Sequence, residues 1–273
     1  MGHGQTGSSQ RRLDHGVGMN PLPIKAFIIT MLGHEMSQQL AEQCVTQAAK
    51  FGIKVETFAA IWGKDYQYHL AQLNIHLGRQ KLSKMTLGHY GNFLSHFYLW
   101  TACVQDQQPY LVLEHDGWLL RDIPHNILDQ FDDVCKLDCL SPYMKTDGGY
   151  DALVEQNMND AVTVAPLRAI AELTKYPDAL RFKKTSGCYS SGVYAYIIKP
   201  QGAKKLIDHV REHGFLATDN QVNTNVLDVK VCIPSVARLH PVMKTREIIG
   251  QMSTSKQSPN PHTGKGMPHA EQQ

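Results

Sequence analysis

No stretch of this 273-residue chain comes near the ~20 consecutive apolar residues that span a bilayer. No secretory leader is apparent either, because the opening "MGHGQTGSSQRRLDHGVGMN" is rich in Gly, Ser, Gln and His and lacks an apolar core. Within it, Met19 is a second candidate start. Charge of one sign is missing too: 27 basic against 25 acidic residues leave a net charge of +2. That near-balance gives no polyelectrolyte signal for nucleic acid or a membrane surface. The six cysteines (44, 103, 135, 139, 188 and 232) include no Cys-x-x-Cys pair, and four of them sit inside apolar stretches. They read as small core residues in a reducing, cytosolic setting rather than as a disulfide framework. No internal repeat occurs.

What is present suits one globular domain, with 42% hydrophobic residues. Its expected bounds are 23–248, between a disordered extension at 1–22 and a disordered, Pro/Gly-rich tail at 249–273. "IKAFIIT" (24–30) predicts a buried strand, and Leu40, Cys44, Ala48 and Phe51 recur at helical spacing until Gly52 stops the helix. "IKVETFAAI" (53–61) predicts a second strand, completing a βαβ unit. A helix is expected over 88–105, with Phe93, Phe97, Trp100 and Val104 on one face, followed by the strand "YLVLE" (110–114). Further strands are expected at 192–198 and 230–234, the second closing the fold. Between them Pro200 opens a helix buried through Ala203, Leu206, Ile207 and Val210. Residues 141–187 read as a polar loop with a short helix around 165–174. The fold class is α/β, a Rossmann-type, mostly parallel sheet flanked by helices.

The strand at 110–114 ends in Glu114-His115-Asp116. Open α/β sheets bind ligands beyond the carboxyl ends of their strands. Residues two apart on an extended segment point the same way, so Glu114 and Asp116 could face one Mg²⁺ or Mn²⁺ ion completed by diphosphate oxygens. The alternative makes them strand-end and turn residues, with Asp116 before Gly117 in an ordinary turn.

Four segments bear on that choice. "IKAFIITMLGHEMSQQLAEQCVTQAAKFGIKVETFAAIWGKD" ends in an Ala-x-x-Gly-Lys-Asp turn from Ala60 to Asp65. "LGHYGNFLSHFYLW" carries Gly88, Gly91, Ser95, His96 and Trp100. "PYLVLEHD" and "SGVYAYIIKPQGAKKLI" complete the set in order. Together, over about residues 24–240, they resemble glycosyltransferase family 25, the lipooligosaccharide-type sugar transferases. The resemblance implies a GT-A-like fold, a nucleotide-diphosphate-sugar donor, and a divalent metal, Mn²⁺ or Mg²⁺, at Glu114 and Asp116. It further implies donor contacts from Thr30, Gly91, Ser95, His96 and Glu114. Two departures stand out: His115 replaces the family's middle aspartate, and His34 and Gln38 occur where arginines usually follow the first strand.

Other residues keep two readings. Ser95 and His96 are donor-site groups or buried polar packing. Asp219 is a general base for the acceptor hydroxyl, a role of roughly 10²–10⁴-fold, or a residue that orients the acceptor. It is otherwise a first-turn acid behind a Thr218-x-x-Gln221 capping box. His240 completes the metal shell or is a turn residue before Pro241. Asp147 and Asp151 lie in a glycine-rich loop that closes over a ligand or carries ordinary loop acids. The basic run "KYPDALRFKK" (175–184) is a solvated face or an anionic acceptor's dock.

The leading expectation is a metal-dependent, inverting transfer of a hexose from a UDP-sugar to a hydroxyl of a glycan or lipopolysaccharide. A nucleic acid acceptor, a hydroxymethylated DNA base, stays open without being indicated by composition. A nucleotide-sugar binding protein without catalysis and a metal-dependent hydrolase are the competing classes.

Overall fold

The computed structural model describes residues 22–77, 85–138, 160–167, 180–183, 187–190, 192–243 and 261. Apart from Leu22 and Pro261, the two extensions expected to be disordered lie outside these residues, as do Asp147 and Asp151.

The chain opens with β1 (Lys25–Thr30), α1 (Glu35–Ala49) and β2 (Val55–Ala59). The β-branched run of β1 is fully inside at Ile28, and α1 buries Leu40, Ala41, Cys44 and Ala48 at helical spacing. A 3-10 turn (Gly63–Asp65) leads into the short α2 (Tyr66–Gln72). Next comes α3 (Leu87–Asp106), whose first turn is fixed by a capping box between Thr86 and His89. It carries an aromatic spine, Tyr90, Phe93, Phe97 and Trp100, completely out of solvent. After it come β3 (Tyr110–Glu114), β4 (Gly117–Leu119), β5 (Val134–Lys136), β6 (Thr163–Pro166), β7 (Leu180–Lys183), β8 (Gly187–Ser190) and β9 (Ala195–Ile198). The last elements are α4 (Pro200–His213), the four-residue α5 (Thr218–Gln221), β10 (Val229–Ile233) and β11 (Ala237–Leu239).

Seven strands form the main sheet in the order β2-β1-β3-β9-β5-β10-β6. β1, β2 and β3 run parallel, β9 is antiparallel to both β3 and β5, β10 is parallel to β5, and β6 is reversed. The sheet is thus mostly parallel, as expected. It separates two cores: α3, α4 and the aromatic spine cover one face, and α1 with Leu119, Phe131 and Val236 covers the other. β4 leaves the sheet to pair with β11, and β7 pairs with β8.

Several expectations are corrected. Residues 230–234 do not close the fold, because β11 follows and β4 needs it as a partner. Residues 163–166 form a strand paired with β10 where the helix at 165–174 was expected to start, and 168–174 lie outside the described residues. The polar segment 141–187 and the basic run contribute β7, and β8 follows. β5 escapes sequence pattern because it is three residues long and ends in a lysine, although the sheet buries all three.

Gly91 has a steric reason. A Cβ there would lie 2.5 Å from the Ile61 carbonyl oxygen and 3.0 Å from the Gly63 nitrogen, so glycine lets α3 pack directly on the backbone that leaves β2. Gly91→Ala is therefore expected to lower unfolding stability by about 1–3 kcal/mol in a urea titration, the usual penalty of overpacking. An unchanged midpoint would show that the two segments separate freely.

Candidate active site

β3 ends at Glu114, and residues 115–116 form a turn before β4 begins at Gly117. The strand alternation expected to aim Glu114 and Asp116 at one point is therefore interrupted between them. Gly117 permits this turn, since a Cβ there would sit 2.3 Å from the Tyr194 carbonyl oxygen. Each carboxylate then belongs to a different piece of structure.

Glu114 faces α3. Its Oε1 accepts from Asn92 Nδ2 at 2.7 Å and from His96 Nε2 at 3.2 Å. The proton placement behind these bonds can be worked out. Trp100 Nε1–H can only donate, and it donates to the Tyr196 hydroxyl at 2.9 Å. The ionised Glu114 can only accept, so His96 Nε2–H donates to it, and in the neutral ring Nδ1 then accepts from the Tyr196 O–H (2.8 Å). On the other side the Thr218 hydroxyl donates to Asn92 Oδ1 at 2.5 Å. The network runs from Trp100 in the core to Glu114, and from Glu114 through Asn92 to the start of α5. Burial by itself would raise the Glu114 carboxyl, but the His96 contact, the Asn92 amide and His115 outweigh it and hold it below its ordinary value.

Asp116 belongs to the β4–β11 ribbon. The register pairs Ala237 with Leu119, Arg238 with Trp118, and Leu239 with Gly117. A bond from His240 N to Asp116 O (2.7 Å) extends this ladder by one pair. Residues directly opposite in an antiparallel ladder carry their side chains on the same face. Asp116 and His240 are each only 7% exposed, and Asp116 Oδ1 and His240 Nε2 are both buried without a hydrogen-bond partner among the described residues. His240 Nδ1 accepts from the Val242 amide at 3.2 Å, and the Trp118 ring meets the imidazole edge-on at 4.8 Å between centroids. Burial, with the Glu114 charge added, pushes the Asp116 carboxyl up to about 6 despite the opposing effect of His115.

Asp219 sits in the first turn of α5, within electrostatic reach of Glu114, Lys136 and His89. Burial, reinforced by Glu114, raises its carboxyl against the pull of Lys136. The capping box expected at Thr218 does not form: Ala217 is the cap residue, Thr218 bonds Asn92, and Gln221 Oε1 accepts from Leu216 N at 3.0 Å instead. Lys136, 3% exposed at the end of β5, donates from Nζ to the Gly192 carbonyl.

The remaining expected residues are held by the protein's own groups. Ser95 is completely buried; its hydroxyl donates to Gly91 O (2.7 Å) and accepts from Ile61 N (2.9 Å). The Thr30 hydroxyl meets Ile28 O at 3.4 Å, and its carbonyl takes Ala60 N. His34 caps α1 by accepting from Ser37 N, and Gln38 Oε1 accepts from Gly33 N. His115 is half-buried, and its carbonyl accepts from the Cys44 thiol at 3.5 Å. Sequence reasoning missed Asn92 and Lys136. Lysine inside the apolar "VCKL" was the available signal for the second, whereas nothing local marks Asn92.

Among the described residues, no group of three or more His, Cys, Asp and Glu side chains is arranged to hold a metal ion. Asp116 nonetheless suits a cation: its buried oxygen is a hard donor that nothing among the described residues satisfies. Glu114 Oε1, by contrast, is already shared by two donors. No helix among these residues is long and apolar enough to cross a membrane.

Comparison with known proteins places this geometry in context. Residues 24–222 match the family model described as glycosyltransferase family 25 (LPS biosynthesis protein). No curated protein matches the chain. Among solved structures, apo mouse xyloside xylosyltransferase 1 is similar at 10% identity, covering 72% of this chain and 79% of that one, with a TM-score of 0.32.

Asp116 generates a stability prediction. Its folded-state pKa of about 6 lies above the ordinary 3.8, so the buried charge costs nothing below pH 3.8. The cost grows between 3.8 and about 6 and is full above that. Asp116→Asn should therefore stabilise the ligand-free protein at pH 7.5 by on the order of 1–3 kcal/mol. The gain should vanish in melts at pH 3.5. Equal gains at both pH values would rule out the buried charge as the cause.

Proposed function

The chain belongs to glycosyltransferase family 25, and from that premise we propose that it transfers a hexose from a UDP-sugar to a hydroxyl of a glycan, of the kind found in lipopolysaccharide. The observation that carries this reading is the Asp116 carboxylate, buried at the carboxyl end of β3 with one oxygen unpaired. A divalent cation, Mn²⁺ or Mg²⁺, held by Asp116 would supply positive charge to the departing diphosphate.

The chain's own groups account for the remaining work. Glu114 is kept ionised and fixed in direction by Asn92 and His96, so it can accept from a donor hydroxyl. Asn92 joins that carboxylate to Thr218, next to Asp219, so that donor-side and acceptor-side groups share one rigid mount. Asp219 takes the proton of the acceptor hydroxyl as its oxygen bonds the anomeric carbon and the bond to the diphosphate oxygen breaks, in a single inverting displacement. Its raised carboxyl suits that role, because a base works best when its pKa lies nearer the working pH. Ser95, Gly91 and Thr30 serve the donor side indirectly, by fixing the backbone around residues 60–63 against α3 and β1. We assign the activity to the cytoplasm, supported by four buried free thiols and no membrane-spanning helix among the described residues.

The test is a panel of UDP-sugars with Mn²⁺ and a lipopolysaccharide-core acceptor. UDP should appear only when the acceptor is present. Release without acceptor would make the protein a hydrolase, and tight binding with no release a non-catalytic binder. In the active pair, Asp219→Asn should lower kcat roughly 10²–10⁴-fold with little change in donor KM. The wild-type acid limb of kcat should lie above the ordinary carboxylate value of 3.8, because the base must be ionised and its pKa is raised. A limb at or below that value would remove Asp219 from the role.

A further inference from the structure

We infer that His240 recognises the donor's diphosphate through a hydrogen bond from Nε2–H and is not a ligand of the cation. The inference rests on the reading of the site given above and assigns this residue's part in it.

Proton placement decides the matter. A backbone amide can only donate, and the Val242 N–H donates to His240 Nδ1. In the neutral ring the proton therefore sits on Nε2. A metal takes an unprotonated imidazole nitrogen, and a ligating histidine typically gives its other N–H to an acceptor. His240 has the opposite polarity: an amide donor stands behind it, and an N–H points forward. Turning the ring over would lose the Val242 bond, and the edge-on Trp118 packs against the imidazole in its present setting.

The ladder adds the second half. His240 lies directly opposite Asp116, so an unpaired buried N–H and an unpaired buried carboxylate oxygen share one face. Leaving either group dry and unmatched is unfavourable by itself. A ligand that matches both must present an acceptor to one and positive charge to the other. A nucleoside diphosphate carrying a divalent cation does so, with a phosphate oxygen on His240 and the cation on Asp116.

Binding measurements separate the two roles. Mn²⁺ alone, followed by UDP at saturating Mn²⁺, would be titrated calorimetrically into wild type, His240→Ala and His240→Gln. The glutamine keeps an N–H donor at similar reach. His240→Ala should leave Mn²⁺ affinity within about twofold and weaken UDP roughly ten- to a hundredfold, the range for a hydrogen bond to a charged group. His240→Gln should recover most of that loss. A drop in Mn²⁺ affinity without nucleotide, unrelieved by glutamine, would make His240 a metal ligand and overturn the inference. Unchanged UDP affinity in both variants, with melting curves showing them folded, would also overturn it while leaving the transferase reading intact. If wild type bound neither Mn²⁺ nor UDP, both would fall together.

Discussion

A carboxylate shut away from water with an oxygen unpaired is an unfavourable arrangement for an empty protein, and the surroundings of Asp116 maintain it. The backbone of β4 and β11 fixes the residue from both sides, and the His240 amide pins its carbonyl. Gly117 lets the chain pass beneath Tyr194. None of these contacts reaches Oδ1. The fold thus holds a negative charge ready without neutralising it, and a preorganised group of this kind need not reorganise when the ligand arrives. The burial that makes the bare charge unfavourable would also strengthen its hold on a cation in the proposed role, since charge interactions grow as water is excluded.

Glu114 is managed in the opposite way, although it is only two residues away. Its Oε1 accepts from two donors, and the donors are themselves fixed: His96 by Tyr196, Tyr196 by Trp100, Asn92 by Thr218. Because each proton in this chain has one destination, the Glu114 carboxylate cannot turn without breaking several bonds together. One carboxylate is left unsatisfied and the other is held in place. That contrast divides the labour within what sequence presents as a single acidic triplet. A site built from two equivalent acids would not need it.

Much of the scaffold could be read from the chain, because its signals are local. β1, α1, β3 and α4 announce themselves by β-branched runs or helical spacing, and the structure gives β3 the bounds expected of it. β4, β5 and β11 have three residues each, too few for a period to register, and their identity comes from pairing with distant partners. The same divide runs through the site. The acidic triplet was legible, but the turn inside it was not. Thr218 looked like the first member of a capping box, yet its hydroxyl bonds Asn92, 126 residues away in sequence. Asn92 was invisible for the same reason: an asparagine on a helix acquires meaning only from what the fold brings opposite it.

His115 shows how far such local reading carries. In sequence it stands where the resembling family has a middle aspartate, which removes one negative charge from the triplet. In the folded chain its carbonyl anchors to Cys44 on α1, so its backbone ties the turn to the helix beside it. Its imidazole lies close enough to favour the ionised forms of both Glu114 and Asp116. A third carboxylate there would instead repel two that are already buried, one of them against a strong desolvation penalty. Exchanging an acid for histidine therefore removes a charge from the triplet while easing the burden on the two that remain. The effect on affinity depends on which of those two holds the cation. With Asp116 in that role and Glu114 committed to Asn92 and His96, the middle position needs only to shape the turn, and a histidine meets that requirement.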